Sequence, residues 1–213
     1  MQYLLTKKRI KNITLRLDKN GNIKVSAPIW VTNDVIDRFI ESKREWIESR
    51  QNMIKNNLPK YISGEKIYYF DNVYTLNIIS SNRNKVNIID DVLNVYTRDV
   101  SNAKKTEKLI FDFFSRLSDA YISEILNKYK NAINRDVESI KFRNMTSRWG
   151  SCSTRAATIR LNTLLFKKRL ICLEYVLLHE LVHLVHANHS KDFYSLLESL
   201  MPNWYRIRAI LES

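Results

Sequence analysis

The segment LEYVLLHELVHLV, residues 173–185, constrains the fold more than any other part of the chain. Val176, Leu177, Leu178, Leu181, Val182, Leu184 and Val185 fall on nearly every side of a helix and leave no broad polar stripe. A helix of this pattern has to be buried over most of its surface. It nevertheless carries His179, Glu180 and His183, and buried imidazole and carboxylate groups are costly unless paired or coordinated. With His186 and His189 the run becomes HELVHLVHANH, which holds all four histidines of the chain.

His179 and His183 are one helical turn apart on one face, so two imidazoles can converge on a single ion. Glu180, next to the first of them, is placed to take a proton from a water at that ion. The third ligand is a choice between His186 and His189. On a continued helix the Cα of His186 would stand roughly 10 Å along the axis from that of His179. Three rings strung that far apart cannot share one tetrahedral ion with bonds of about 2.1 Å. If the helix instead ends within His186-Ala187-Asn188, where Asn tolerates the left-handed conformation, the chain turns back and presents His189. The reading is then one Zn2+ per chain held by His179, His183 and His189, with Glu180 as general base and an open position for water. His186 becomes a surface or supporting residue, although a helix end shifted by a residue or two would restore it. Ser190 can cap the following helix and bring Phe193 against the site. Tyr175, one turn before His179, can reach the same face as an oxyanion donor; core packing is the simpler role for Tyr175, Phe193 and Trp204.

At 213 residues, 45% hydrophobic and 11% aromatic, the chain can bury a core as one unit or two closely packed halves. No apolar run of about eighteen residues is present. The opening MQYLLTKKRIKNITLRL turns basic after two leucines, unlike a signal peptide, so a cytoplasmic protein without a membrane span is expected. Cys152 and Cys172 form no CxxC pair, which argues against a disulfide scaffold or a thiolate zinc knuckle. The net charge is +13, and from Ser139 through Leu173 there is no Asp or Glu. That stretch carries Lys141, Arg143, Arg148, Arg155, Arg160, Lys167, Lys168 and Arg169 and runs directly into the histidine cluster. Its charge favours polyanionic or acidic partners.

Periodicity predicts a hairpin about Asn20-Gly21 that enters Pro28, then one amphipathic helix from Thr32 or Asn33 to before Pro59. A strand meander is expected over 61–97, with breaks at Ser63-Gly64, Asp71-Asn72, Ser81–Asn84 and Asp90-Asp91. One long helix follows, capped by Ser101 or Asn102. ESIKFRNM and ATIRLNTLL read as short strands flanking the loop SRWGSCSTRA, before the histidine helix and a second helix from Ser190 interrupted at Pro202. The expected domains are a β-rich region with one helix at 1–100 and a catalytic core at 101–213. In the loop, Gly150 permits a tight turn, Trp149 can pack over the histidine helix, and Arg148 can pair with a carboxylate or bind substrate. The same Arg-Trp pair would equally serve to lock sheet to helix.

RNMTSRWGSCST, IRLNTLL, EYVLLHELVHLVHANHSKDFY and Pro202 together resemble the YgjP-like metallopeptidase family, relatives of the SprT and WLM zinc-protease domains. The resemblance runs nearly end to end and includes ITLRL, VSAP, KREWI and SGE. It implies an α+β fold with a zincin-like core, an HExxH helix packed on a small sheet. It also implies zinc at residues matching His179, His183 and His189, with Glu180 as base. Three departures bear on loop geometry. His186 stands where metzincins of the same ligand spacing have glycine, FDN replaces the usual glycine after the aromatic strand, and KKRLICLEYV lacks the proline common before the zinc helix. The function expected is a zinc metallopeptidase acting on a protein or peptide substrate, with Arg148, Trp149 and Tyr175 as substrate-binding candidates. Two other readings are a nucleic-acid-associated zinc protein docking DNA through the basic 141–169 segment, and a zinc-stabilised scaffold without turnover.

Overall fold

The computed structural model describes residues 1–18, 21–57 and 59–212. The chain divides into two compact units, Met1–Pro59 and Lys60–Ser213. In the first, strands β1 (Tyr3–Lys8), β2 (Thr14–Leu17) and β3 (Ile23–Pro28) form a sheet in the order β1-β3-β2. β2 and β3 are antiparallel with Leu17 opposite Ile23, the hairpin the Asn-Gly pair predicts. Gly21 holds φ +80 there, and Asn20 lies outside the described residues. Ile23, Val25 and Ala27 alternate onto one face and bury against Ile36, Ile40 and Ile47.

Those last three come from two helices, α1 (Asn33–Glu41) and α2 (Arg44–Asn57), where one was expected. The break has a local cause. Ser42 donates its hydroxyl to the carbonyl of Phe39 at 2.7 Å, and the Lys43 amide bonds back only three residues, to Ile40, at 3.0 Å. A serine competing for helix carbonyls bends the ladder at that point.

The second unit opens with β4 (Lys66–Tyr69), β5 (Asn72–Ser80), β6 (Lys85–Ile89) and β7 (Val92–Thr97). All four expected breaks separate or precede these strands, but the sheet is not a meander: its order is β4-β5-β7-β6, with β5 and β7 parallel. Burial decides this order. β7 carries the fully buried Leu93 and Val95 and takes an interior place, while β6 is half-exposed and stays at the edge. The sheet packs on α3 (Ala103–Leu117), which is followed by α4 (Asp119–Ile133). The Asn102 side chain accepts from the Lys105 amide at 3.0 Å and caps α3. The expected single helix is again bent at a serine. Ser118 is wholly buried, donates to the Phe114 carbonyl at 2.8 Å and lies 3.2 Å from the Tyr69 hydroxyl.

A second sheet, β8 (Ser139–Arg143), β9 (Gly150–Ser153) and β10 (Thr158–Asn162), has the order β8-β10-β9. β9 lies inside what reads as a loop in the sequence; it pairs antiparallel with β10, Cys152 opposite Ile159. Its residues are small and polar and carry little strand propensity, so the pairing is set by β10. A 3-10 turn, Thr163–Lys167, leads into α5 (Leu170–Val185), followed by α6 (Lys191–Leu200) and α7 (Trp204–Glu212).

α5 is the hub, in contact with α4, α6, α7, β9 and β10. Leu177, Leu178, Leu181 and Val182 on it are at most 2% exposed, each worth about 1.5–3 kcal/mol of burial. Its C-terminal end is tied down by Arg135, which donates to the carbonyls of Leu184 at 2.9 Å and Thr154 at 2.6 Å. One core joins Leu76, Leu93 and Val95 of the first sheet to Ile110, Phe114, Phe166 and α5. The boundary expected near residue 100 therefore lies inside this unit. The class is α+β, with the HExxH helix against a small sheet. Among the described residues no helix is long and apolar enough to cross a membrane.

Candidate metal centre

The histidine pair sits on the last two turns of α5, and the helix ends at Val185. It does not end through a left-handed Asn188. His186 itself leaves the helix in an extended conformation, φ −122 and ψ 104, while its amide still bonds to the Val182 carbonyl. The chain then doubles back to Ser190, whose hydroxyl caps α6 by accepting from the Phe193 amide at 3.4 Å. This return brings His189 beside the pair. One ring nitrogen from each of His179, His183 and His189 lies within 4.8 Å of the others, and the Nε2 atoms of His179 and His189 are 3.0 Å apart. Ligands of a tetrahedral zinc at about 2.1 Å stand about 3.4 Å from one another. The donor set fits such an ion with small movements. His186 is outside the cluster; its carbonyl lies 3.2 Å from His183 Nδ1. With the proton on Nδ1, His183 donates to that carbonyl and leaves Nε2 for the ion.

The floor of the cluster is Phe193, which is fully buried with its ring 4.9, 4.7 and 4.8 Å from those of His179, His183 and His189. Around the two helix-borne rings this apolar floor disfavours the charged imidazolium. Burial pushes His179 down to about 4, with the charges of His183, His189 and Arg208 adding to the shift. His183 is lowered by burial too, against the pull of the His186 carbonyl. His179 Nδ1 is buried without a hydrogen-bond partner among the described residues.

Glu180 is 5% exposed, and burial pushes its carboxyl up to about 7 against the lowering charge of Arg148. The space it occupies exists because residue 150 has no side chain. A Cβ on Gly150 would stand 2.5 Å from Glu180 Oε1 and 2.8 Å from its Cγ. Gly150 thus serves close approach at the start of β9, not the tight turn expected of it. The loop before it is held by Asn162, which donates to the carbonyls of Met145 at 2.9 Å and Arg148 at 2.8 Å and accepts from the Leu164 amide at 3.1 Å.

Glu180, the three histidines, Arg148, Trp149 and Tyr175 all line one cavity of about 780 Å³. Arg148 is exposed and makes no ion pair among the described residues. Trp149 lies under the Lys168 ammonium, 5.7 Å from the ring centre, and is half-buried against the core. Tyr175 is stacked on Trp204 and meets His179 edge-on at 6.1 Å. Sequence reasoning missed three further walls of the cavity, Tyr194, Arg208 and Glu212. Tyr194 stacks on both His189 and Trp204, a role signalled only by its place one residue after Phe193. Cys152 also faces the cavity, its thiol pushed up to about 11 by burial and the Glu180 charge and so protonated and unreactive as a nucleophile.

A triad of imidazoles around one point, with a buried carboxylate and open space beside it, defines a metal-dependent hydrolase. The chain belongs to the YgjP-like metallopeptidase family, whose metallopeptidase-domain model matches residues 11–213. No curated protein matches the chain in sequence. Similar solved structures include the metallopeptidase zymogen of Pyrococcus abyssi abylysin, 21% identical, covering 43% of this chain and 93% of that one at a TM-score of 0.38. The metallopeptidase zymogen of Methanocaldococcus jannaschii jannalysin is 25% identical and covers 41% of this chain and 84% of that one, at a TM-score of 0.36.

Proposed function

We propose that this metallopeptidase binds one zinc ion through His179, His183 and His189 and hydrolyses peptide bonds of a protein or peptide substrate with Glu180 as general base. The observation that carries this reading is the convergence of three histidine nitrogens within 4.8 Å in the cavity that also holds the Glu180 carboxylate. When bound, zinc supplies Lewis acidity and lowers the pKa of water so that a nucleophile exists at neutral pH. The residues of the chain do the rest. Glu180, held near neutrality by burial, accepts the proton of the attacking water and returns it to the leaving amine nitrogen. Phe193 and the packed α5 exclude bulk water from one side of the histidines. Tyr175 and Arg148, both on the cavity wall, are placed to orient the substrate carbonyl and backbone.

Zinc per chain measured on the purified protein, together with cleavage of a peptide mixture before and after chelation, tests the reading. About one zinc per chain and cleavage lost on chelation and restored by zinc are expected. A metal-free protein that still cleaves contradicts it. A zinc-loaded protein that cleaves nothing and only melts earlier on chelation would be the stabilised scaffold instead.

A further inference from the structure

The exposed face of the sheet β8-β10-β9 is cationic by construction. Ile140, Phe142, Ile159 and Leu161 alternate inward onto the core, which turns Lys141, Arg143 and Arg160 outward. Lys141 stands opposite Arg160 in the strand register. Like charges side by side on a sheet destabilise it. No acid relieves them: Asp and Glu are absent from Ser139 through Leu173, and none of these cations, nor Arg148, is in an ion pair among the described residues. The four cations and Ser151 line a groove of about 590 Å³. Arg148 and Ser151 line this groove and the catalytic cavity alike, so the two spaces adjoin along β9.

From this juxtaposition we infer that the groove is a specificity site for acidic side chains of the substrate, a few residues to one side of the bond cleaved. The inference rests on the peptidase reading above. An extended polypeptide advances about 3.3 Å per residue, so a strand lying across three strands spaced about 4.8 Å apart sets two or three residues over these cations. A polypeptide is favoured over a nucleic acid because the groove opens into the cavity where a chain must lie to be cut. An anion drawn there gains by neutralising cations the fold leaves unpaired.

The test uses the full chain loaded with zinc and a library of proteome-derived peptides, with cleavage sites read by mass spectrometry. Asp and Glu should be enriched on one side of the sites. For a cleaved peptide, replacing those acids by Asn and Gln should lower kcat/KM roughly tenfold at low salt, chiefly through KM. In K141Q/R160Q, checked for an unchanged melting curve, the ratio of acidic to neutral peptide should fall towards one. Equal kcat/KM for the two peptides, or an unchanged ratio in the double variant, overturns the proposal while leaving the peptidase reading intact. If no peptide is cleaved, the peptidase reading fails, and binding decides the groove. A fluorescent Glu-rich dodecapeptide should bind the zinc-loaded protein more weakly in K141Q/R160Q and at higher salt. No such loss, or tighter binding of a DNA duplex of equal charge to the same residues, overturns it.

Discussion

Gly150 and Glu180 set the tolerance of the site between them. G150A places a Cβ 2.5 Å from Glu180 Oε1, so the carboxylate has to move. Zinc content should stay at one per chain while kcat falls on the order of 100-fold, the usual cost of displacing a reacting group by an ångström; undiminished kcat would show that Glu180 need not be held there. The histidines separate as cleanly. H189A should abolish tight zinc binding in a competition assay with a chelator, while H186A should lower affinity less than about tenfold, since only its backbone carbonyl supports His183. Equal losses in the two variants would contradict the triad. At this scale much was legible in the sequence. The spacing of His179 and His183 and the reach limit on His186 point to the cluster without any structure. Gly150 reads in the sequence as a turn residue, because its role in close approach depends on a helix thirty positions on. Tyr194, Arg208 and Glu212 have no local signature at all; their place on the cavity wall follows from how α6 and α7 return across α5.

Among the elements, two serines do what no periodicity announces. The apolar spacing of 33–57 and of 103–133 continues through Ser42 and Ser118, so each stretch reads as one helix, and each bends where a hydroxyl takes a carbonyl from its own helix. Ser118 has a second partner in Tyr69. S118A strands that phenol in the core and should cost about 1–2 kcal/mol in urea unfolding. Y69F leaves Ser118 bonded to Phe114 and should cost less; the reverse order would mean that the buried pair is not what fixes the bend. Strand order was less legible than strand existence. A run of strands with short turns reads as a meander, and only the burial of Leu93 and Val95 places β7 inside the sheet. β9 was hidden for a related reason, since GSCS becomes a strand only by pairing with β10. The Asn162 side chain ties that pairing to the 145–149 loop through two hydrogen bonds, to the carbonyls of Met145 and Arg148. N162A should therefore loosen the loop at Met145 and Arg148 and raise KM for peptides more than it lowers zinc content.

At the scale of the molecule, the site and the core of the second unit are one structure. α5 supplies two of the proposed ligands and the proposed base, and the same helix contacts α4, α6, α7 and the second sheet. Metal binding should therefore report on the stability of that unit. Zinc at about 100 times its dissociation constant should add about 2.7 kcal/mol and raise Tm by about 5 °C or more; identical melting curves with and without zinc would uncouple the cluster from the fold. The partition of the chain lay beyond the sequence, because the passage from strands to a long helix near residue 100 is a change of element type, and one core runs across it. The role proposed for Glu180 lies in the chemistry and not in holding the metal. E180Q, compared with the unaltered chain for zinc per molecule and for peptide cleavage under the same conditions, tests it most directly. One zinc per chain is expected in both, with cleavage reduced at least about a thousandfold in E180Q; a zinc-loaded E180Q that cleaves at the unaltered rate would rule out Glu180 as the base.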